Sequence, residues 1–132
     1  MKDEERARRI IARDFSARLL NNTKWDRLLD SLREVTISHS YRIKFVDVTE
    51  VLEGSLRPAT EKYFDSLWGP VPKLAVEWFE IDPVQIKPRG ALLKPETIDH
   101  SVEIEGRLKE LNVEYQRQGA AIRVVALVRS SR

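Results

Sequence analysis

Residues 68–81 read WGPVPKLAVEWFEI. Two tryptophans, a phenylalanine and two prolines fall within one short stretch, which suits either an aromatic binding surface or a core strand entered through a stiff loop. Pro70 and Pro72 have no N–H to donate to a sheet ladder, so the first part reads as loop. From Lys73 onward, Leu74, Val76 and Trp78 alternate with Ala75, Glu77, Phe79 and Ile81. Neither set is polar throughout, and KLAVEWFEI is therefore expected as a central strand covered on both faces. Trp78 and Phe79 are consecutive, so they point to opposite faces and cannot share one patch. Trp78 is assigned to the core, where a tryptophan buries roughly 150–250 Å², and Phe79 to packing under a loop or helix. Trp68 precedes Gly69-Pro70 in the loop, where it either anchors the loop or contacts a partner.

Upstream, DEERARRIIARDFSARLL places Ala7, Ile11, Phe15 and Leu19 at steps of four, with Ile10 and Leu20 beside them. This is the stripe of an amphipathic helix over residues 1–20. Asp3, Glu4 and Glu5 complement the positive end of its dipole. The pair Asn21-Asn22 reads as a stop and turn. Thr23 then caps a second helix, with Asp26 three residues on in a capping-box position. Trp25, Leu28, Leu29 and Leu32 form its apolar face. The expectation is a helical hairpin lying on a sheet.

YRIKFVDV, residues 41–48, alternates as a half-buried strand with Tyr41, Ile43 and Phe45 inward. Residues 49–72 are irregular, with a short helix expected near 59–66. DPVQIKPRGALLKPE reads as a second punctuated loop. Ile104, Leu108 and Leu111 mark a helix over 101–111, weakened at Gly106 by up to about 1 kcal/mol. NVEYQRQGAAIRVVALV closes the chain as two strands around a turn at Gly119, and residues 129–132 form a frayed tail. The fold class expected is α+β: an N-terminal helical hairpin and a third helix packed on a mostly antiparallel sheet of about four strands. Residues 1–132 read as a single domain, with Trp25, Phe45 and Trp78 in its core.

The 132 residues can bury a core without staples, and the chain holds no cysteine. A disulfide framework, a thiolate metal site and a cysteine nucleophile are thereby excluded. No apolar run approaches the roughly 20 residues of a membrane span. The N-terminus lacks a signal-peptide core, so a cytoplasmic protein without membrane contact is expected. Lysine and arginine number 23 against 21 acids, a net charge of +2, and the charges are mixed along the chain. Such a balance is a poor footprint for nucleic acid.

Catalytic constellations are thin. His39 lies between Ser38 and Ser40, but neighbours in an extended chain face opposite ways and do not make a working pair. Asp99, His100 and Glu103 have side chains suited to a divalent metal, yet capping of the third helix by Asp99 or Ser101 explains them better. Glu77, Glu80 and Asp82 read as solvent-facing carboxylates at a sheet edge. A helix-turn-helix over residues 3–34 is disfavoured, because Asp26, Asp30 and Glu34 would repel phosphates. No catalytic residue, metal ligand or cofactor site is assigned.

NNTKW at residues 21–25, YRIKFVD at 41–47, VEWFEID at 76–82 and LKELNVEYQRQGAAIRVVAL at 108–127 resemble, in that order, a family of small bacterial proteins of unknown function. Its members similarly open with Asn-Asn-Thr-Lys-Trp and carry an IEWLEI-type strand. The resemblance spans roughly residues 20–128 and implies the α+β fold. It carries over no catalytic residue. Residues 1–20 stand outside it as an added helix.

These observations favour a non-enzymatic protein-interaction module, of a toxin-immunity or adaptor kind, whose partner is another protein. Trp68 and the helix-one arginines Arg6, Arg9 and Arg13 are its candidate contacts. One alternative is a nucleic-acid-associated regulator acting through the same helix; another is an enzyme with an unrecognised site. The stripe of helix one either completes the core beside helix two or dimerises the domain.

Overall fold

The computed structural model describes residues 2–35 and 40–131. His39 and Ser38 lie outside them.

Helix α1 spans Lys2–Asp14 and α2 spans Asn22–Val35. Between them, Phe15–Arg18 form a strand, β1, rather than a continuation of the first helix. β1 pairs antiparallel with Leu127–Arg129, β12, at the far end of the chain. Leu19 N–H donates to Ala126 O at 2.8 Å and Ser130 N–H to Asp14 O at 2.8 Å. Backbone groups that a longer helix would pair internally are paired instead with a segment remote in sequence. Arg129 belongs to this ladder, so it is not frayed.

The cap of α2 also differs from the expected one. Asn21 Oδ1 accepts from Lys24 N–H at 2.8 Å, the geometry of an N-cap residue satisfying the third helical amide. Thr23 is thus within the first turn. Asp26 is turned away from the helix start, to Lys73 Nζ at 2.8 Å.

The main sheet has five strands, one more than expected: Tyr41–Phe45 (β2), Leu52–Gly54 (β3), Val76–Ile81 (β7), Tyr115–Gln118 (β10) and Ala121–Val125 (β11). Their order is β10-β11-β7-β2-β3, antiparallel throughout, with β7 at the centre. Residues 73–75, the start of the expected strand, form a 3-10 turn instead.

A second sheet of three strands joins Leu56–Pro58 (β4), Tyr63–Ser66 (β5) and Gly69–Pro72 (β6), with β5 in the middle. The expected helix near 59–66 is replaced by β5. Pro70 and Pro72 are accommodated because β6 is an edge strand, where a missing N–H breaks no ladder. Val84–Lys87 (β8) and Glu96–Asp99 (β9) form a separate hairpin. α3 covers Ser101–Glu110.

Trp25 joins the layers. It is fully buried and meets Phe64 of β5 edge-on at 5.1 Å and Phe79 of β7 at 5.6 Å. Tyr41 also meets Phe79, edge-on at 5.0 Å. Leu28, Leu29 and Leu32 of α2 and Ile104 and Leu108 of α3 complete this core. Arg107 Nη1 ties α3 to α2, donating to Glu34 Oε2 at 2.9 Å. The stripe of α1 lies against the core: Ala7 is buried, and Ile10 and Ile11 are partly buried against it.

Trp78 is the main departure in the core. It is half-buried, while Phe79 is buried completely. The cause is a bulge. Phe79 lies opposite Ile43 and Trp78 opposite Lys44, but Val76 lies opposite Phe45. Two residues, Glu77 and Trp78, therefore face a single partner residue, and the strand's alternation changes phase between them. Val76 and Phe79 both reach the core, and Trp78 is left on the other face.

Candidate interaction surface

Ser66 and Gly69 pair across a two-residue turn that carries Leu67 and Trp68. Trp68 N–H donates to Ser66 Oγ at 3.2 Å, and Ser66 Oγ donates to Gly69 O at 2.7 Å. Gly69 takes a φ of +94°, a region that costs glycine little. The indole is aimed back onto the β2–β3 edge of the main sheet. It meets Phe45 edge-to-face at 6.1 Å and 88°. The outer corner of its ring also lies against Gly54, where any Cβ would overlap it.

Trp68 nevertheless stays 44% exposed, and Leu67 beside it is 82% exposed. A cleft of about 220 Å³ opens next to the indole. Phe45, Val48, Leu52, Val71 and Pro72 line it, and Asp47 is its one charged residue among those described. Trp68 is thus both a loop anchor and a surface residue. The local sequence signals Trp68 but not the cleft, whose walls come from segments that only the fold brings together.

The second surface is the face of the main sheet opposite Tyr41, Ile43 and Phe79. Its register aligns one residue from each strand: Gln116, Arg123, Glu80, Arg42 and Glu53. Glu80 accepts from Arg123 Nε at 2.8 Å and lies 3.3 Å from Arg42 Nη1. Glu77 accepts from both Arg129 Nε at 3.0 Å and Arg129 Nη2 at 2.9 Å, and faces Lys44 Nζ at 3.6 Å. The Arg123 guanidinium covers Trp78, 3.8 Å from the ring centroid. Glu77 and Glu80 are therefore buried, paired groups and not solvent-facing edge residues. Opposite charges directly across an antiparallel pair stabilise it, and both carboxylates have their acceptor positions occupied by cations.

The remaining candidates disperse. Arg6 and Arg9 are exposed on α1. Arg13 Nε and Nη2 donate to the two oxygens of Asp14, at 2.9 and 3.0 Å. This contact holds the Asp14 carboxyl below its usual range and raises Arg13. Asp99 Oδ1 accepts from Ser101 N–H, and bonding to Ser101 lowers its pKa. His100 Nε2 meets Gln85 Oε1 at 3.0 Å, and Glu103 lies 3.6 Å from Arg107. Among the described residues, no three His, Asp or Glu side chains converge as a metal site, and no helix is long and apolar enough to cross a membrane.

Neither the curated proteins nor the solved structures contain a significant match to this chain. A family profile, however, matches residues 7–131, which includes most of α1 and all of β12. With nearly the whole fold inside that match, the chain belongs to a family of unknown function, DUF6678.

Proposed function

We propose that the protein is a non-enzymatic protein-interaction module that receives an apolar side chain of a partner protein in the Trp68 cleft. An immunity-type or adaptor role, in which one partner is captured and held, is the specific form of this reading. The observation that carries it is Trp68 itself. A half-exposed indole, braced by Phe45 and Gly54, stands beside an apolar cleft, and exposed Leu67 precedes it in the same turn. Tryptophan is enriched among residues that dominate binding energy, and a rigid aromatic loses little conformational entropy on binding. The cleft accommodates one or two side chains rather than a substrate with its catalytic groups.

The test is affinity purification of tagged protein from its own host, with Trp68→Ala and Ile86→Ser in parallel. Any co-purifying protein is then made separately and titrated in a calorimeter. A stoichiometric complex retained by Ile86→Ser and weakened by about 2 kcal/mol or more in Trp68→Ala supports the reading. A complex indifferent to Trp68 would show that the cleft is not the contact.

A further inference from the structure

A different cleft, of about 480 Å³, lies between α1, the β1–α2 connection and the turn between β4 and β5. It shares no lining residue with the Trp68 cleft. Among the described residues, three cations border it, Arg8, Arg18 and Lys62, with one carboxylate, Glu4. Glu4 already accepts from Arg8 Nη2 at 2.9 Å and from Tyr63 Oη at 2.9 Å. Arg18 has no carboxylate partner among the described residues; its one hydrogen bond runs from Nη2 to Leu74 O, at 3.5 Å.

Two amides add donors. Asn21 uses its oxygen to cap α2, which leaves its NH₂ available, and Asn22 lines the cleft beside it. Ile11 and Leu74 supply an apolar wall. Although Arg18 is exposed as a residue, burial of its guanidinium against the protein, and then the Arg8 charge, push its pKa down. An anion in the cleft relieves this repulsion.

We propose that this cleft binds a small organic anion, a phosphate or carboxylate attached to an apolar group, with Arg18 and Arg8 holding the charge and Ile11 and Leu74 the apolar part. A planar guanidinium fork matches either anion. The asparagine amides complete the donor set, as placed polar groups fix a ligand's orientation in a pocket.

Full-length protein titrated with phenyl phosphate, benzoate and inorganic phosphate tests this by calorimetry and by NMR of the Asn22 side-chain amide. One-to-one saturable binding of phenyl phosphate or benzoate is expected, with a shift of the Asn22 resonance. The tighter of the two identifies the anion. Arg18→Gln should weaken binding about tenfold or more through loss of a charge-assisted hydrogen bond, while Arg6→Gln leaves it unchanged. Absence of saturable binding by all three overturns the proposal. So does an equal loss in Arg6→Gln, which marks diffuse charge attraction. Inorganic phosphate binding as tightly as phenyl phosphate, with no benzoate binding, overturns the role of the apolar wall.

Discussion

Lys73 Nζ lies 2.8 Å from Asp26 Oδ1, with the lysine side chain fully buried and the aspartate 37% exposed. The contact is an ion pair between the buried ammonium and the carboxylate. The ammonium also donates to Glu61 O at 3.0 Å and stands 5.7 Å from the centre of the Phe64 ring. One buried charge therefore joins α2, the β4–β5 turn and the 3-10 turn ahead of β7. Asp26→Ala leaves that charge without its counter-ion and should cost about 2 kcal/mol, less than for a wholly buried pair because water reaches Asp26. Lys73→Met keeps the apolar stem and should stay within about 1 kcal/mol of the parent. Urea midpoints of the two variants decide it; equal losses would contradict this account.

The bulge in β7 makes neighbouring aromatics unequal. Phe79→Ala should cost about 3–5 kcal/mol, as for a buried phenylalanine. Trp78→Ala removes a half-buried ring and its stacked Arg123, and should cost about 1–2 kcal/mol. A larger loss for Trp78 than for Phe79 in chemical denaturation would place the phase change of the strand elsewhere.

Alkaline pH should expose Tyr41. Burial pushes its phenol up to about 12 from the ordinary 10.0, against a smaller opposing pull from Arg33. The unfolded chain ionises first, so the contribution is complete below pH 10 and is lost as pH rises toward 12. Tyr41→Phe should flatten the loss of stability across that window. Tyr63, raised by its hydrogen bond to Glu4, supplies part of what remains. A variant with the same alkaline slope as the parent would show that Tyr41 is not buried as a neutral phenol.

Acid acts on the partner of Tyr63. Hydrogen bonds from Arg8 and then Tyr63 hold Glu4 below its ordinary 4.5. Its contribution is present above pH 4.5 and is lost as pH falls through the lowered folded value. Glu4→Gln should make the acid limb of the stability profile shallower. Superimposable acid limbs would rule out the contact as a source of stability.

Gly54→Ala tests how the Trp68 indole is held. The new methyl overlaps the ring, so indole or strand must move, at a cost of about 1–3 kcal/mol. Tryptophan emission should shift toward that of a more exposed indole. An unchanged midpoint and spectrum would mean that Trp68 does not rest on β3.

Much of the architecture was legible from local pattern. The 3.6-residue spacing of Trp25, Leu28, Leu29 and Leu32 gave the buried face of α2, and Ile104 with Leu108 gave that of α3, because periodic burial is written directly into adjacent turns. Tyr41, Ile43 and Phe45 alternate without interruption and do point inward. Gly119 marks the β10–β11 turn, where its φ is +60°. The charge balance and the absence of cysteine likewise follow from composition.

What local pattern missed was decided by contacts between remote segments. Phe15 and Leu19 continue a helical period, yet pairing with β12 draws residues 15–18 into a strand. Trp78 fits a core strand by alternation, yet the bulge opposite Lys44 carries it to the other face and leaves the core to Val76 and Phe79. Glu77 and Glu80 read as solvent-facing carboxylates until cations from β2, β11 and β12 are set beside them. Both clefts are of the same origin: Trp68 and Arg18 are visible as single residues, but their walls come from chain segments far apart. Which residues seek the interior, and where most turns fall, follow from near neighbours along the chain. Strand partners, bulge phase and the meeting of charges depend instead on groups that are remote along the chain and are brought close by folding.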